Sequence, residues 1–93
     1  MKVKEITFND KHYSWYFICP GCNREHVLDS RWKFNNDLEK PTFEGSVASN
    51  CNPEYHNPNV PKCHSYVENG TIRFLTDSTH HLTGKTVELS DIL

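Results

Sequence analysis

The sequence predicts a small, mostly β domain with at most one short helix, and three observations predict it. Short runs rich in β-branched and aromatic residues recur between polar, proline or glycine breaks along the whole chain. One pair of such runs is joined by Asn-Gly, the dipeptide that two-residue hairpin turns prefer. No internal repeat, low-complexity tract or long amphipathic helical pattern competes with this reading.

Residues 2–8 (KVKEITF) and 13–19 (YSWYFIC) read as strands on either side of a polar break, NDKH. In the second run Tyr13, Trp15 and Phe17 fall on one face, with Ser14, Tyr16 and Ile18 on the other. The break PGCNRE comes next, then HVLD and RWKFN as two further short strands. TFEGSVAS, residues 42–49, is a strand weakened by Gly45. Residues 50–62 hold three prolines and four asparagines and read as an irregular loop. CHSYVE, Asn69-Gly70 and TIRFL then form the hairpin, because both turn residues tolerate positive φ. In DSTHHLTG, Asp77 or Ser78 can cap a helix of one or two turns that Gly84 stops, and KTVELSDIL supplies a final strand.

With 93 residues, a 35% hydrophobic share and a mean hydropathy of -0.72, residues 1–93 make one domain with a meagre core. Such chains often depend on a metal or a crosslink. No signal-peptide pattern or membrane-length apolar run is present, so the expectation is a soluble cytoplasmic protein, where close cysteines more often bind metal than form disulfides. A net charge of -2 gives no global footprint for nucleic acid.

The chemistry concentrates in CPGC at 19–22 and CHS at 63–65. A tight Cys-x-x-Cys turn aims two thiolates at one point and leaves a tetrahedral zinc half satisfied. Cys63 and His64 arrive together downstream, so Cys19, Cys22, Cys63 and His64 form the first-choice zinc site. Adjacent residues on a regular strand point to opposite faces, so this set needs a bend at Cys63, for which Pro61 is a candidate. His80 is the alternative fourth ligand, and Cys51 or His26 rank lower. A thioredoxin-type redox pair would need a helix after the second cysteine, and the sequence there is strand-like.

The ordered run CPGC-x-x-x-H, W-x-F-N, PTF-x-x-SV, CHSYV-x-NG-x-I-x-FL-x-D-x-TH-x-L-x-G-x-TV resembles the DUF6527 family of small phage and prophage proteins, whose members often carry the label ammonia monooxygenase. The resemblance takes in Cys19, Cys22, His26, Trp32, Phe34, Pro41, Ser46, Cys63, His64, Asp77, His80 and Gly84, and covers almost everything after residue 15. It implies a phage or prophage origin and a Cys/His metal site. Ser78 stands where relatives often have cysteine, so that position is not an essential ligand. The monooxygenase label conflicts with the residues, since a thiolate-rich set with one imidazole favours zinc over a Cu(II) oxygenase centre.

The function this supports is that of a small zinc protein with a structural site and no catalytic residues. It would act by binding a host or phage protein, such as a component of a host defence or nucleic-acid-processing system. One alternative is a nucleic-acid-binding module using Arg24, Arg31, Lys33 and Lys40 around Trp32 and Phe34, although Asp29, Asp37 and Glu39 interrupt the basic run. The other is a small zinc-dependent hydrolase with His64, His80 or Glu25 as general base, although no H-x-E or HExxH pattern appears.

Overall fold

The computed structural model describes residues 1–8, 12–51, 54 and 57–92. Among the described residues, nine strands make three antiparallel sheets. β1 (Lys4–Phe8), β2 (His12–Ile18) and β3 (Glu25–Leu28) form the first, in that order. β4 (Lys33–Phe34) and β5 (Phe43–Glu44) pair as a short ribbon, and β6 (Val47–Ser49), β7 (Cys63–Glu68), β8 (Thr71–Phe74) and β9 (Thr86–Glu88) complete a four-stranded meander. The small, mostly β fold that the sequence predicts is the one observed.

The register explains why so few aliphatic residues suffice. Along β7 and β8 burial alternates, with Cys63, Ser65, Val67, Ile72 and Phe74 inward and His64, Tyr66, Glu68 and Arg73 outward. The inner faces share one core with Phe17 and Leu28 of the first sheet, Phe43 of the ribbon, Val3 and Leu89. Phe34 stacks on Phe43 at 4.5 Å, and Trp15 lies tilted on Phe34 at 5.0 Å, so aromatic area supplies what aliphatic area does not.

The predicted hairpin forms as expected. Asn69 and Gly70 take φ of 50° and 79°, and Glu68 pairs with Thr71. The tip is held from outside: Asn69 N–H donates to Thr42 Oγ1 at 2.8 Å and Gly70 N–H to the Pro41 carbonyl at 3.0 Å. The run 42–49 is two strands, because Gly45 at φ 106° breaks the extended backbone between β5 and β6. The short helix is absent among the described residues; residues 77–84 are turns and irregular backbone. Ser78 uses its Oγ on the backbone of His64, and Thr83 Oγ1 donates to the Ser78 and His80 carbonyls, so side chains replace the helical ladder. The NDKH break lies largely on residues 9–11, outside the described residues, as do parts of the 50–62 loop. Among the described residues no helix is long and apolar enough to cross a membrane.

Candidate functional site

Two groups of functional side chains occupy opposite faces of β7. The inner one is built on the β2–β3 turn. Asn23 N–H donates to the Cys19 carbonyl at 2.9 Å and Cys19 N–H to the Arg24 carbonyl at 2.8 Å, closing CPGC into a knuckle, with Asn23 at φ 55°. Gly21 does not supply the positive φ here. A Cβ at Gly21 would stand 2.3 Å from the His80 ring, so the glycine admits that imidazole.

Cys19, Cys22, His26 and Cys63 gather with all their ligand atoms within 4.8 Å of one another, a group that could hold a metal ion. Cys19 Sγ lies 3.7 Å from Cys63 Sγ, and Cys22 Sγ lies 3.2 Å from His26 Nε2. All four described cysteines are free thiols. The group is mostly buried: Cys19 and Cys63 are fully buried, His26 nearly so, and Cys22 half-buried. His26 is pushed up to about 9; burial opposes its charge, and the hydrogen bonds that its protonated ring donates to Cys19 and Cys22 overcome that burial. Cys19 is drawn far below the usual thiol range by hydrogen bonds with Cys22 and Cys63, while Cys63, bonded to Cys19, is pushed far above it. These hydrogen bonds favour one ionised sulfur beside protonated neighbours.

The three cysteines expected from the sequence meet here, but the imidazole beside them is His26 rather than His64. His26 sits opposite Phe17 on β3, one turn past the knuckle, so its buried face turns back to the thiols. His64 follows Cys63 on a strand that stays regular, and alternation sends it to the outer face. Cys51 stands apart, its Sγ donating to the Ser49 and Cys63 carbonyls. His80 lies edge-on to Phe74 at 4.4 Å and its Nδ1 accepts from Leu82 N–H, leaving a buried Nε2 without a partner. Burial pushes His80 below the usual imidazole range.

The outer group centres on His64. Its Nδ1 contacts both carboxylate oxygens of Asp77, at 2.9 and 3.2 Å, and its ring is about a quarter exposed. The turn bearing Asp77 is stapled to the same strand: His64 N–H donates to Ser78 Oγ, Ser78 Oγ–H to the His64 carbonyl, and Leu75 N–H to that carbonyl too. Ala48 of β6 pairs with His64. The sequence held His64 in view as a zinc ligand or a general base, and Asp77 as a helix cap, but not as a pair. Their contact crosses 13 positions, and spacing alone could not announce it.

The basic run is not arranged as a stacking platform. Arg31 is bonded to Asp29 and lies over Trp32, while Trp32 donates to the Ser46 carbonyl at 3.1 Å and Phe34 is spent on Phe43. No curated protein and no solved structure matches the chain. A family model does match, over residues 1–75, and its family is described as the bacterial ubiquitination-like system serine protease, BubE. That span takes in the knuckle, His26, Ser46, Cys63 and His64, and on this match the chain belongs to the BubE family.

Proposed function

We propose that this chain is a serine peptidase of a ubiquitination-like system, with Ser46 as nucleophile, His64 as general base and Asp77 as its orienting carboxylate. The observation that carries the reading is the Asp77 carboxylate on His64 Nδ1. An acceptor there holds the proton on Nδ1 and leaves Nε2, on the outer face, free to take a proton from a hydroxyl.

Four serines are near enough in sequence or register to consider; Ser49 pairs with the inward Cys63, so it falls on the face of β6 away from His64. Ser65 points inward and is fully buried, and the Ser78 Oγ is engaged with the His64 backbone. Ser46 remains. Ala48 is the residue opposite His64, and Ser46 lies two positions earlier, just before β6 begins; carrying the register of β6 back by one residue makes Ser46 the diagonal neighbour of His64. Such neighbours lie about 7–8 Å apart, within reach of an aromatic ring such as the His64 imidazole. Gly45 at φ 106° turns the chain immediately before it, and Trp32 holds its carbonyl, so the backbone around Ser46 is fixed from both sides.

In the reaction, Ser46 Oγ attacks the carbonyl carbon of an amide while His64 Nε2 takes its proton. The imidazolium then gives that proton to the departing amine, the C–N bond breaks, and Ser46 carries the acyl group. Water, deprotonated by His64, releases the acid and restores the serine. Asp77 stabilises the imidazolium throughout without taking a proton.

The inner group fits zinc. A tetrahedral zinc with bonds of about 2.3 Å to sulfur has S···S edges of about 3.8 Å, close to the 3.7 Å between Cys19 and Cys63. Four protein ligands fill the tetrahedron, so its contribution is structural. It would tie the knuckle to Cys63, the residue next to His64, and so place the base.

The test is Ser46→Ala, which should abolish both amide hydrolysis and labelling by a fluorophosphonate probe while the circular dichroism stays unchanged. Asp77→Asn should keep the fold and lower kcat on the order of 10⁴-fold, the scale seen when a triad loses its orienting carboxylate. Ser46→Ala protein that labels and hydrolyses like the wild type would refute the assignment.

A further inference from the structure

β6 lies at the edge of the four-stranded sheet, and the direction of its free hydrogen-bonding groups follows from its neighbours. Leu75 N–H donates to the His64 carbonyl and His64 N–H to Ser78, so the backbone groups of His64 face away from β6. Those of Cys63 and Ser65 therefore face β6, where they meet Ser49 and Val47. Ala48, between them, turns its N–H and C=O outward. Among the described residues neither group has a partner, whereas the Ser46 carbonyl on the same edge is taken by Trp32. Beside this edge opens a cleft of about 520 Å³ lined in part by Ala48, Ser49, Asn50, Cys51 and Arg24. Arg24 is exposed and forms no ion pair among the described residues, and none of the described residues lining the cleft is acidic.

We propose that the β6 edge is the substrate-docking strand, to which an extended acidic segment of a protein substrate adds antiparallel at Ala48, its carboxylates meeting Arg24. This rests on the assignment of Ser46 as nucleophile. An unpaired edge accepts a strand through main-chain bonds and leaves discrimination to the side-chain pockets beside it. An antiparallel substrate runs from Asn50 towards Ser46. The residue opposite Ala48 then lies two before the one opposite Ser46, so Arg24 reads side chains on the N-terminal side of the bond to be cut. The guanidinium presents a rigid fork of donors that suits a carboxylate.

Binding is measured on the catalytically silenced Ser46→Ala protein, which separates docking from hydrolysis. The probes are two short fluorescent peptides of alternating threonine and aspartate or threonine and lysine, read by anisotropy. The aspartate peptide should bind at least about fivefold more tightly than the lysine one, the scale of a partly exposed ion pair. Arg24→Glu, added to Ser46→Ala, should reverse that order. Ala48→Pro should weaken both peptides: it removes only the outward N–H and leaves the bonds to β7 intact. Equal affinity for the two peptides, no binding of either, or indifference to Ala48→Pro would each overturn the docking proposal. Loss of hydrolysis in Ser46→Ala tests the nucleophile separately, so the two assignments fail independently.

Discussion

Gly21 and His80 show how one missing side chain shapes the site. The imidazole fills the space that a Cβ at residue 21 would enter, at 2.3 to 2.6 Å from three ring atoms. The ring is pinned by Leu82 N–H and Phe74, so it has little room to retreat. Gly21→Ala should therefore destabilise the protein by about 1–3 kcal/mol, the usual cost of overpacking. Adding His80→Ala should recover part of that loss. A denaturation cycle over the four proteins checks this, and additive effects would show that the two residues do not touch. Cys-Pro-Gly-Cys was legible in the sequence as a ligand turn, but not the reason for its glycine, because that reason arrives from a segment far along the chain.

At the scale of elements, the β7–β8 hairpin and the PTF segment depend on one another. Asn69 and Gly70 are both left-handed, and a Cβ at Gly70 would come within 3.2 Å of Lys40. Asn69→Val with Gly70→Val should thus lower stability by about 1–3 kcal/mol for each strained residue. It should also free Thr42 and Pro41 from the tip and unsettle the strand that starts at Cys63. A thermal melt with a parallel metal assay checks it; an unchanged melting temperature would contradict the turn. This element was readable because its signal is local, two residues wide. The helix expected at 77–84 had equally local signals, yet Ser78 and Thr83 spend their hydroxyls on other partners and turns result.

Across the whole molecule, the metal-type group joins two sheets, since Cys19, Cys22 and His26 belong to the β2–β3 turn and Cys63 to β7. Ligation requires His26 neutral and the thiols ionised. In the metal-free group His26 keeps its proton up to about 9, so below that pH a cation must displace it. The sign follows: metal affinity falls as pH drops from 9 towards 6, and transfer to a chromophoric chelator should quicken over that range. His26→Ala should cost the metal and, with it, folding free energy on the order of 10 kcal/mol for a structural zinc. His64→Ala should retain stoichiometric metal and lose hydrolysis. Elemental analysis of the two variants side by side checks the division; metal loss from His64→Ala alone would reverse it.

By itself the sequence determined that strands dominate, that an Asn-Gly turn closes β7 onto β8, and that three cysteines are positioned for one cation. Each of these rests on short-range spacing or on residue chemistry that survives any tertiary arrangement. Only the tertiary structure decided which imidazole joins the thiols. His26 is turned inward by the register of β3 on β2, and His64 is turned outward by the regular alternation of β7. It also decided that Asp77 meets His64 on the outer face, beside an edge strand with an open amide. These are contacts between residues brought together by sheet register, and register is settled by which face must be buried.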